Sequence, residues 1–528
     1  MNNFIKRIRT KGIIILFMLV LSSCGKEEET SVNDNDINKV NQQEDGDLEA
    51  PSLTMEDLRK DYPDKKILVW AYDNALIITP SVNKALNSAL VDKGYEFVIL
   101  FEELDVLVYE DSIDKMIEEG NSPDIICGGL GDAGTLQGTY RAVKKEWLLE
   151  LDSYLDTEEG KALKDIYPEK MWKAFDVNGH VYGVNGLLPY NTDFVYYVNK
   201  ELADKYNISL EQLAGLQPSE LEDILDIVYQ GEKAKDFITY IYEENYRGYY
   251  STVSDVFNNS CNAMVFDNRL KSPKATNVFA QEDQIEYFTS LAKYREKGYL
   301  TVEEEELEED EKIKVRNFFI IQSRDDAFGN LGEGTIQHYK DNYPMVNEVD
   351  IVPFDSTYIT LQGNGVTGIC KHSKQKDLAF QAIAAVYTDK ELSDLLLYGI
   401  EGEDYQLKDE RVVINNNNNN YDWFRGLYFG NSIISTPTDE EPINKKEIIF
   451  DKVSQMEASD MMGTYVELDD IIEDINKINA VTNKYAGLFD GEFPDVEDTI
   501  QKLNSELEEA DFQLLLDEIN HRYLSARE

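Results

Sequence analysis

The sequence predicts an α/β fold, and three observations support that prediction. Apolar segments alternate with segments of helical periodicity between residues 66 and 127. The apolar segments are near-continuous, as in strands that are buried on both faces of a sheet. The chain has 528 residues, which is enough for two or three domains with substantial cores. This pattern predicts right-handed βαβ crossovers and a mostly parallel sheet with helices on both faces.

The first five predicted elements alternate between strand and helix. In order, they are a strand at Lys66 to Tyr72, a helix from Pro80 to Gly94, a strand at Phe97 to Phe101, a helix from Asp111 to Glu119 and a strand at Pro123 to Cys127. Ligands of such sheets bind beyond the carboxyl ends of the strands, so the residues that follow each strand are candidate site residues.

An export signal is predicted at residues 1–23. Basic residues precede an apolar run from Ile13 to Leu21, which is too short to span a bilayer because a spanning helix needs about 20 residues. The segment from Leu21 to Cys24 resembles a lipobox, whose cysteine is diacylated before cleavage makes it the new N-terminus. We therefore expect Cys24 to be lipidated and to anchor the protein to the outer face of the cell membrane.

Residues 24–63 are predicted to form a disordered acidic tether. They are polar and acidic and show no apolar periodicity until Leu53, so they cannot bury enough surface to fold. The formal charge of the whole chain is −51. Because a basic footprint is absent, nucleic acid is excluded as a partner. With Cys24 lipidated, three dispersed cysteines remain, which argues against a disulfide framework.

Catalytic and cofactor motifs are weak in this sequence. The four histidines are dispersed, which gives no support to a zinc site, and neither a serine nucleophile elbow nor a Walker A loop is present. Gly129 to Gly134 matches the dinucleotide motif G-x-G-x-x-G, but it follows the third strand rather than the first. The alternatives are a tight turn and a loop that places Asp132 against a ligand. We predict no enzyme, no catalytic residue, no metal and no cofactor.

A second organising stretch runs from Met171 to Lys200. Asn178-Gly179 predicts a type I′ hairpin, and Phe194 to Val198 predicts a strand. The stretch resembles the signature of the family 1 extracellular solute-binding proteins of ABC transporters. The matching residues are Trp172, Asn178, Gly179, Tyr182, Gly183, Tyr196, Tyr197, Asn199 and Lys200. The chain departs from that signature at Asn185, where the family usually has proline.

A second match lies at Leu397 to Tyr405, which resembles the Tyr-Gly-Ile-Glu-Gly segment of lipoproteins that serve multiple-sugar importers in Gram-positive bacteria. The resemblance implies a two-lobed periplasmic-binding-protein-like fold with several inter-lobe crossings and extra C-terminal helices. The implied lobes comprise residues 64–188 plus 358–410 and residues 189–357 plus 411–528. Helical patterns from Val466 to Leu488 and from Val496 to Leu524 are expected to pack on the second lobe.

The resemblance implies a monomeric binding protein that captures a carbohydrate in the inter-lobe cleft and delivers it to ABC transporter permease subunits. Aromatic rings stack on sugars, and Asp and Asn satisfy sugar hydroxyls. The expected ligand-binding residues are Trp70, Tyr72, Asp73, Asp132, Tyr190, Asp193, Asn364 and Trp423. For each aromatic residue, core packing is the alternative, and Trp70 lies inside a predicted strand. Other hypotheses are a binding protein for a peptide or other polar solute, a carbohydrate sensor without a permease, and a polysaccharide-degrading enzyme.

Overall fold

The computed structural model describes residues 53–73, 78–128, 137–186, 193–232, 237–242, 254–256, 261–267, 274–302, 317–325, 343, 345–355, 358–359, 366–415, 428–438 and 441–527. The predicted signal peptide, Cys24 and residues 25–52 of the predicted tether lie outside these residues. The prediction of disorder is wrong for the end of the tether, because Met55–Asp61 form a helix whose Leu58 is buried against Val98 and Leu100 of the first lobe. Within the described ranges, none of the helices combines the length and the apolar character that crossing a membrane requires.

A four-stranded sheet forms the centre of the first lobe. Its strands, in the spatial order β15-β3-β1-β2, are Val366–Ile369, Ile125–Gly128, Lys66–Asp73 and Phe97–Leu104. The first three strands in the chain are parallel, as the alternating pattern predicts, whereas β15 joins from far along the chain in the antiparallel sense. The prediction of a mostly parallel sheet built from βαβ units is therefore confirmed.

Helices surround this sheet and form two hydrophobic clusters with it, the large first core and a small cluster in which Leu58 of the first helix packs on Val98 and Leu100. They are α1 (Met55–Asp61), α2 (Pro80–Asp92), α3 (Tyr109–Glu118), α4 (Gln137–Lys144), α5 (Glu158–Lys164), α10 (Lys376–Thr388), α11 (Lys390–Tyr398) and α12 (Lys445–Gln455). Helix α2 begins at the predicted proline, because the ring of Pro80 fixes a helical φ where no N–H donor is needed. Its apolar face, with Val82, Leu86 and Leu90, is fully buried.

Two amide side chains of α2 protect the edge strand of this sheet. Asn87 accepts a hydrogen bond from Ile99 N–H at 2.7 Å and donates one to Ile99 C=O at 2.9 Å. Asn83 donates to the same carbonyl at 2.8 Å. Both asparagines are buried. They satisfy backbone groups that an uncovered edge strand would present to another chain.

The second lobe is built on a five-stranded sheet. Its strands, in the order β11-β7-β12-β6-β13, are Leu300–Val302, Phe237–Tyr242, Asn317–Asp325, Asp193–Asn199 and Val349–Asp355. Separate hydrophobic clusters cover its two faces. The helices of this lobe that precede its C-terminal group are α6 (Lys200–Lys205), α7 (Leu210–Leu213), α8 (Glu222–Glu232) and α9 (Glu282–Lys297).

A three-stranded sheet and the C-terminal helices form a further core beside α9. The strands, in the order β10-β9-β8, are Ala275–Asn277, Met264–Asp267 and Ser254–Val256. The helices are α13 (Ile472–Thr482), α14 (Val496–Glu509) and α15 (Phe512–Arg527). Phe288 and Ala292 of α9 lie in this core, while Leu291 lies in the core of the five-stranded sheet. The C-terminal helices therefore extend the second lobe.

The second predicted C-terminal helix is divided in two by the backbone at Asp511. This residue has φ of +62°, a left-handed conformation that ends α14 before α15 begins. Glycine adopts a positive φ without steric cost, and aspartate is one of the few other residues that tolerate it.

The described parts of three segments connect the lobes. The first runs from Val184 to the start of β6 at Asp193. Val184 exchanges backbone hydrogen bonds with Thr367 of β15. The second runs from the end of β13 to β15 and contains β14 (Tyr358–Ile359). The third contains β18 (Glu457–Ala458), which pairs with β14 in parallel. Two of the crossings therefore run side by side.

The segment from Tyr428 to Met462 packs with the first lobe, not with the lobe to which the sequence analysis assigned it. The first core contains Tyr428, Phe429 and Ile433 of this segment, together with Val453 of α12. The sequence-based division placed everything after residue 410 in the second lobe. The reason for the difference is topological, because the chain returns to the first lobe for one more pass before the third crossing, and sequence order does not reveal that return.

Candidate ligand-binding cleft

The four-stranded sheet presents the carboxyl ends of its parallel strands to the lobe crossings. Strand β15 begins at Val366, directly after the second crossing, and Val366 pairs with Gly128 at the carboxyl end of β3. Strands β1 and β2 run parallel to β3 and so end at the same edge. Crevices at such edges are where ligands of open α/β sheets bind.

The five-stranded sheet presents an edge to the same crossings. Strand β6 begins there at Asp193, and the antiparallel strand β12 ends there at Asp325, which is the register partner of Asp193. Strand β13 also ends at this edge, at Asp355. The two sheet edges thus both adjoin the crossing segments, and the gap between them is the candidate cleft.

An aromatic cluster lies at the carboxyl end of the first sheet. Phe429 contacts Trp70, Tyr72 and Phe101, with ring centroids 5.5 Å apart in each pair. Phe101 also lies 5.4 Å from Trp70 and 6.2 Å from Tyr72. Three of the four rings are buried, whereas Phe101 is half-buried. Phe101 is therefore the ring of this cluster that reaches the surface.

A hydrogen bond connects this cluster to a carboxylate at the sheet edge. Tyr72 OH donates to Glu103 Oε2 at 3.3 Å. Glu102 and Glu103 are exposed at the carboxyl end of β2, opposite Ala71 and Tyr72 of β1. A buried phenol thus orients an exposed carboxylate, which is a strong acceptor for a hydroxyl group.

The structure places three of the predicted ligand-binding residues in the first lobe's interior. Trp70 is fully buried, and its indole Nε1–H points at Cys127 Sγ at 3.5 Å. Tyr72 and Asp73 are 2% and 1% exposed. In this structure Trp70 therefore contributes to the core, as its position inside the strand allows, and does not present its ring to the cleft.

The remaining predicted site residues are only partly described. Asp193 is the first residue of β6, and its backbone lies at the cleft edge of the second lobe. The others, namely Asp132, Tyr190, Asn364 and Trp423, lie outside the described residues, as do the glycine-rich segment from Gly129 to Gly134 and most of the asparagine run. Their roles as ligand contacts stay predictions.

Phe101, Glu103 and Phe429 were missed by the sequence analysis. The sequence could have indicated Phe101 and Glu103, because residues near the carboxyl end of β2 are candidate ligand contacts just as those of β1 and β3 are. No sequence signal identifies Phe429, which reaches the cluster only because the chain returns to the first lobe.

The chain around the predicted Trp423 is attached to the first lobe at both ends. Val412 lies in β17 (Arg411–Ile414), which pairs with β16 (Tyr405–Lys408) in the antiparallel sense. On one side of the segment, Val412 packs with Leu397, Tyr398 and Tyr405 in a satellite cluster. On the other side, Tyr428 C=O accepts hydrogen bonds from Thr367 Oγ1 and Tyr387 OH, at 2.9 and 2.8 Å. The segment that contains Trp423 therefore departs from and returns to the lobe that holds the aromatic cluster.

The two matched motifs have structural roles in the described residues. At Gly183 an added Cβ would lie 2.6 Å from Thr367 C=O, so only glycine allows the first crossing to pass this close to β15. In the Tyr-Gly-Ile-Glu-Gly segment, Gly399 and Gly402 have φ of +88° and +86°. Asp404 closes this turn by accepting from Ile400 N–H at 2.7 Å.

The hairpin predicted at Asn178-Gly179 is confirmed, with β4 at Asp176–Val177 and β5 at His180–Val181. It holds the third crossing. Asn178 Oδ1 accepts from Tyr465 N–H at 2.9 Å, and Asn178 Nδ2 donates to Tyr465 C=O at 3.2 Å. Its own N–H donates to Gly463 C=O at 2.8 Å. The hairpin is therefore a fixed support for the segment that leads into the second lobe.

One group of metal-ligating side chains converges in the described part of the chain. His180 Nδ1 lies 2.8 Å from Asp152 Oδ2 and 3.4 Å from Glu150 Oε1. The hydrogen bond with Asp152 and the charge of Glu150 raise the pKa of His180 above its ordinary value. Burial opposes the ionised form of Asp152, but its hydrogen bonds with Val181 N–H and His180 hold its pKa below the usual range. The group is an exposed ion cluster that fastens the hairpin.

The described cysteines are unsuited to nucleophilic chemistry. Cys127, Cys261 and Cys370 are free and buried. Burial raises the pKa of the Cys127 and Cys261 thiols to about 12, so neither forms a thiolate near neutral pH.

Comparison with known proteins gives the fold independently. No family model and no curated protein matches the chain by sequence. Among solved structures, a solute-binding protein for N-glycan transport (NgtS) from Streptococcus pneumoniae is 18% identical with a TM-score of 0.67, over 88% of this chain and 99% of that one.

Two further structures are similar. An extracellular solute-binding protein from Bifidobacterium longum subsp. infantis has 13% identity and a TM-score of 0.54, over 88% of this chain and 99% of that one. A family 1 extracellular solute-binding protein from Alicyclobacillus acidocaldarius has 13% identity and a TM-score of 0.52, over 85% and 98% of the two chains. These likenesses confirm the two-lobed α/β fold that the resemblance implies.

Proposed function

We propose, on the premise that this chain has the fold of the extracellular solute-binding proteins, that it captures a sugar or oligosaccharide between its lobes and delivers it to the permease of an ABC importer. The observation that carries this proposal is the pairing of the half-buried ring of Phe101 with the phenol-oriented carboxylate of Glu103 at the cleft edge of the first lobe.

The chemistry of this pair suits a carbohydrate. An aromatic ring packs against the apolar CH face of a pyranose, and a carboxylate accepts hydrogen bonds from its hydroxyl groups. A buried hydroxyl left without a partner costs about 1–3 kcal/mol, so a sugar site needs oriented acceptors. Carbohydrate is also what the similar S. pneumoniae protein carries, since one of its structures is a complex with Man1GlcNAc.

Capture requires movement of the lobes about their crossings. A ligand favours the closed form only through contacts that the open form lacks. The hydrogen bonds between the hairpin and Tyr465 fix one end of the third crossing, and the pairing of β14 with β18 couples the third crossing to the second. These contacts support hinge closure about paired segments. The reaction with the ligand is binding, without covalent change.

We further propose that the mature protein is a monomer anchored through lipidated Cys24 on the extracellular face of the cell membrane. Residues 1–23 would be removed on export, and residues 24–52, which precede α1, would supply the reach between membrane and cleft. Expression with a radiolabelled or clickable palmitate should label the wild type but not a Cys24→Ser variant, which should also leave the membrane fraction. Membrane retention of the unlabelled variant would contradict the anchor.

A thermal-shift screen of the purified domain tests the binding function. Monosaccharides, oligosaccharides and peptides are compared at equal concentration, and binding of a ligand to the native state raises Tm by mass action. We expect shifts with at least one oligosaccharide, no shift with peptides and no degradation of the glycan on prolonged incubation. Shifts with peptides alone would replace carbohydrate by peptide as the ligand, and turnover would make the protein an enzyme.

A further inference from the structure

A buried glutamine of the second lobe carries an amide group that no described neighbour satisfies. Gln284, in the first turn of α9, is 1% exposed. Neither its Oε1 nor its Nε2 has a hydrogen-bond partner among the described residues. We propose that this amide binds hydroxyl groups of the ligand and serves as a ligand contact of the second lobe. The inference rests on the carbohydrate-binding function proposed above and names a recognition residue for it.

The packing of α9 places Gln284 toward the cleft. Tyr294 of this helix packs against Tyr240 of β7, with ring centroids 5.9 Å apart. Tyr287, earlier in the helix, accepts a hydrogen bond from Gln322 Nε2 of β12 at 3.2 Å. In the parallel pair of β7 and β12, Gln322 lies two residues beyond the register partner of Tyr240. The helix therefore runs opposite to these strands, and its first turn lies toward their carboxyl ends.

Those carboxyl ends belong to the cleft edge of the second lobe. Strand β12 ends at Asp325, about 10 Å beyond Gln322 along the strand. Gln284 precedes Tyr287 by one helical turn, which places it about 5 Å further toward that edge. Side chains of a helix lean toward its N-terminus. The amide of Gln284 is therefore aimed at the cleft end of the lobe.

A second buried glutamine shows how this lobe satisfies an amide when it has a structural role. Gln322 is 5% exposed, and its Oε1 accepts from Tyr240 OH while its Nε2 donates to Tyr287 OH. Buried polar groups in native structures are nearly always paired in this way. Gln284 lies one turn from Tyr287 and has neither bond. Its partner is therefore a molecule from outside the chain, and a water or a ligand hydroxyl can fill that place.

The chemistry of this turn favours a neutral hydroxyl over an anion. Oε1 of the amide accepts and Nε2 donates, and adjacent hydroxyls of a pyranose can pair with both at once. The N-terminus of a helix attracts negative charge, but Glu282 and Asp283 already supply it here as exposed residues of the same turn. The neighbouring amide of Gln281 is occupied, because its Nε2 donates to Thr276 Oγ1 at 3.1 Å.

The enclosure of Gln284 couples its contact with a ligand to a conformational change. At 1% exposure the side chain is shut off from solvent, so a ligand reaches it only in a form that uncovers the first turn of α9. The first lobe contributes Phe101 and Glu103 to the proposed site. Contacts from both lobes make closure depend on the ligand. The unsatisfied amide destabilises the ligand-free protein, whereas a ligand satisfies it in the complex.

Gln284→Met tests the proposal, because methionine has a similar size and no amide. The probes are maltotriose, β-1,4-mannotriose, triacetylchitotriose and Man1GlcNAc, measured by isothermal titration calorimetry, and Tm of the ligand-free protein is measured by thermal melt. For the glycan that the wild type binds most tightly, we expect Kd to rise at least about tenfold in the variant. Tm of the ligand-free variant should equal or exceed that of the wild type. A residue that only supports the fold does not give this pair of responses.

Three further variants complete the design. Gln322→Met should lower Tm of the ligand-free protein, because it leaves two tyrosine hydroxyls without their partner. Gln513→Met, at an exposed position of α15, should change neither Tm nor Kd. Gln284→Asn keeps the amide but withdraws it by one methylene group, so its Kd should lie between those of the wild type and Gln284→Met.

The outcomes separate this inference from the function on which it rests. A Kd of Gln284→Met within about twofold of the wild type would overturn the role of Gln284 and leave the carbohydrate function standing. A lower ligand-free Tm together with that unchanged Kd would assign the amide to an internal water. If Gln284→Met fails to fold, a wild-type Kd in Gln284→Asn overturns the role in the same way. A wild type that responds to peptides and to none of these glycans would overturn both proposals.

Discussion

The side-chain amide of Asn178 bridges the backbone N–H and C=O of Tyr465, which lies 287 residues further along the chain. The two hydrogen bonds imitate one rung of a β-ladder. They hold the third lobe crossing against a hairpin whose left-handed turn, with φ of +52° at Asn178, is itself favoured by asparagine.

Replacement of Asn178 by glycine tests this bridge. Glycine accepts the positive φ, so the turn survives while both side-chain hydrogen bonds are lost, and we expect the free energy of unfolding to fall by about 1–3 kcal/mol. Asn207 provides a matched control, because it is exposed with φ of +56°. Asn207→Gly should leave stability within about 0.5 kcal/mol. Equal effects of the two changes in urea denaturation would show that the bridge contributes nothing.

The ion cluster at His180 predicts a pH-dependent stability. Its pKa is raised in the folded state by Asp152 first and by Glu150 next. The stabilisation is therefore complete below the unfolded-state pKa of about 6.5 and is lost as pH rises through the higher folded-state value. Tm of the wild type should exceed that of His180→Gln by more at pH 5.5 than at pH 8.5. A pH-independent difference in Tm would contradict the raised pKa, as would an NMR titration midpoint below 6.5.

The buried amide of Asn87 predicts a sensitive position at the edge of the first sheet. Asn87→Ala leaves Ile99 N–H buried without that acceptor, and we expect a loss of about 1–3 kcal/mol in the free energy of unfolding. Lys84→Ala on the exposed face of the same helix should change it by less than about 0.5 kcal/mol. The comparison is made by guanidinium denaturation, and similar midpoints for both variants would contradict the role of Asn87.

The bond between Tyr72 and Glu103 predicts an effect on affinity. Tyr72→Phe keeps the ring in its cluster and removes the donor that orients the carboxylate, so the Kd for a bound glycan should rise about two- to tenfold with little change in Tm. Tyr62→Phe is the control, because Tyr62 OH makes a contact of the same 3.3 Å length with Ser88 away from the cleft edge. Unchanged affinity in Tyr72→Phe, measured by calorimetry, would remove Glu103 from the ligand contacts.

The break between α14 and α15 predicts a stabilising change. The left-handed backbone of Asp511, at φ of +62°, is sterically unfavourable for a residue that has a Cβ atom. Asp511→Gly removes that cost, although glycine loses more backbone entropy on folding, and we expect a net gain of up to about 1 kcal/mol. Gly298→Ala, at φ of +76° after α9, makes the reverse change and should lower stability. A lower Tm for Asp511→Gly in a thermal melt would contradict the strain at this position.

Local sequence patterns predicted the parts of the fold that depend on neighbours in the chain. The apolar strand at Lys66 and the proline start of α2 follow from periodicity and backbone restriction, and they are confirmed. The asparagine–glycine hairpin is confirmed for the same reason, because a turn of this type is specified by its two central residues. The resemblance of the motifs to solute-binding proteins also predicted the two-lobed fold.

Other parts of the fold and of the candidate site depend on contacts between distant residues, and sequence order does not display these. The return of Phe429 to the aromatic cluster and the convergence of His180 with Glu150 and Asp152 are of this kind. Burial, too, is a property of the assembled core, which is why Trp70, expected at the ligand, lies beneath the cleft edge. The sequence by itself determined the strands, the turns and the acidity of this protein. Only the tertiary structure decided which side chains share the cleft, because that depends on how the crossings bring the two sheet edges together.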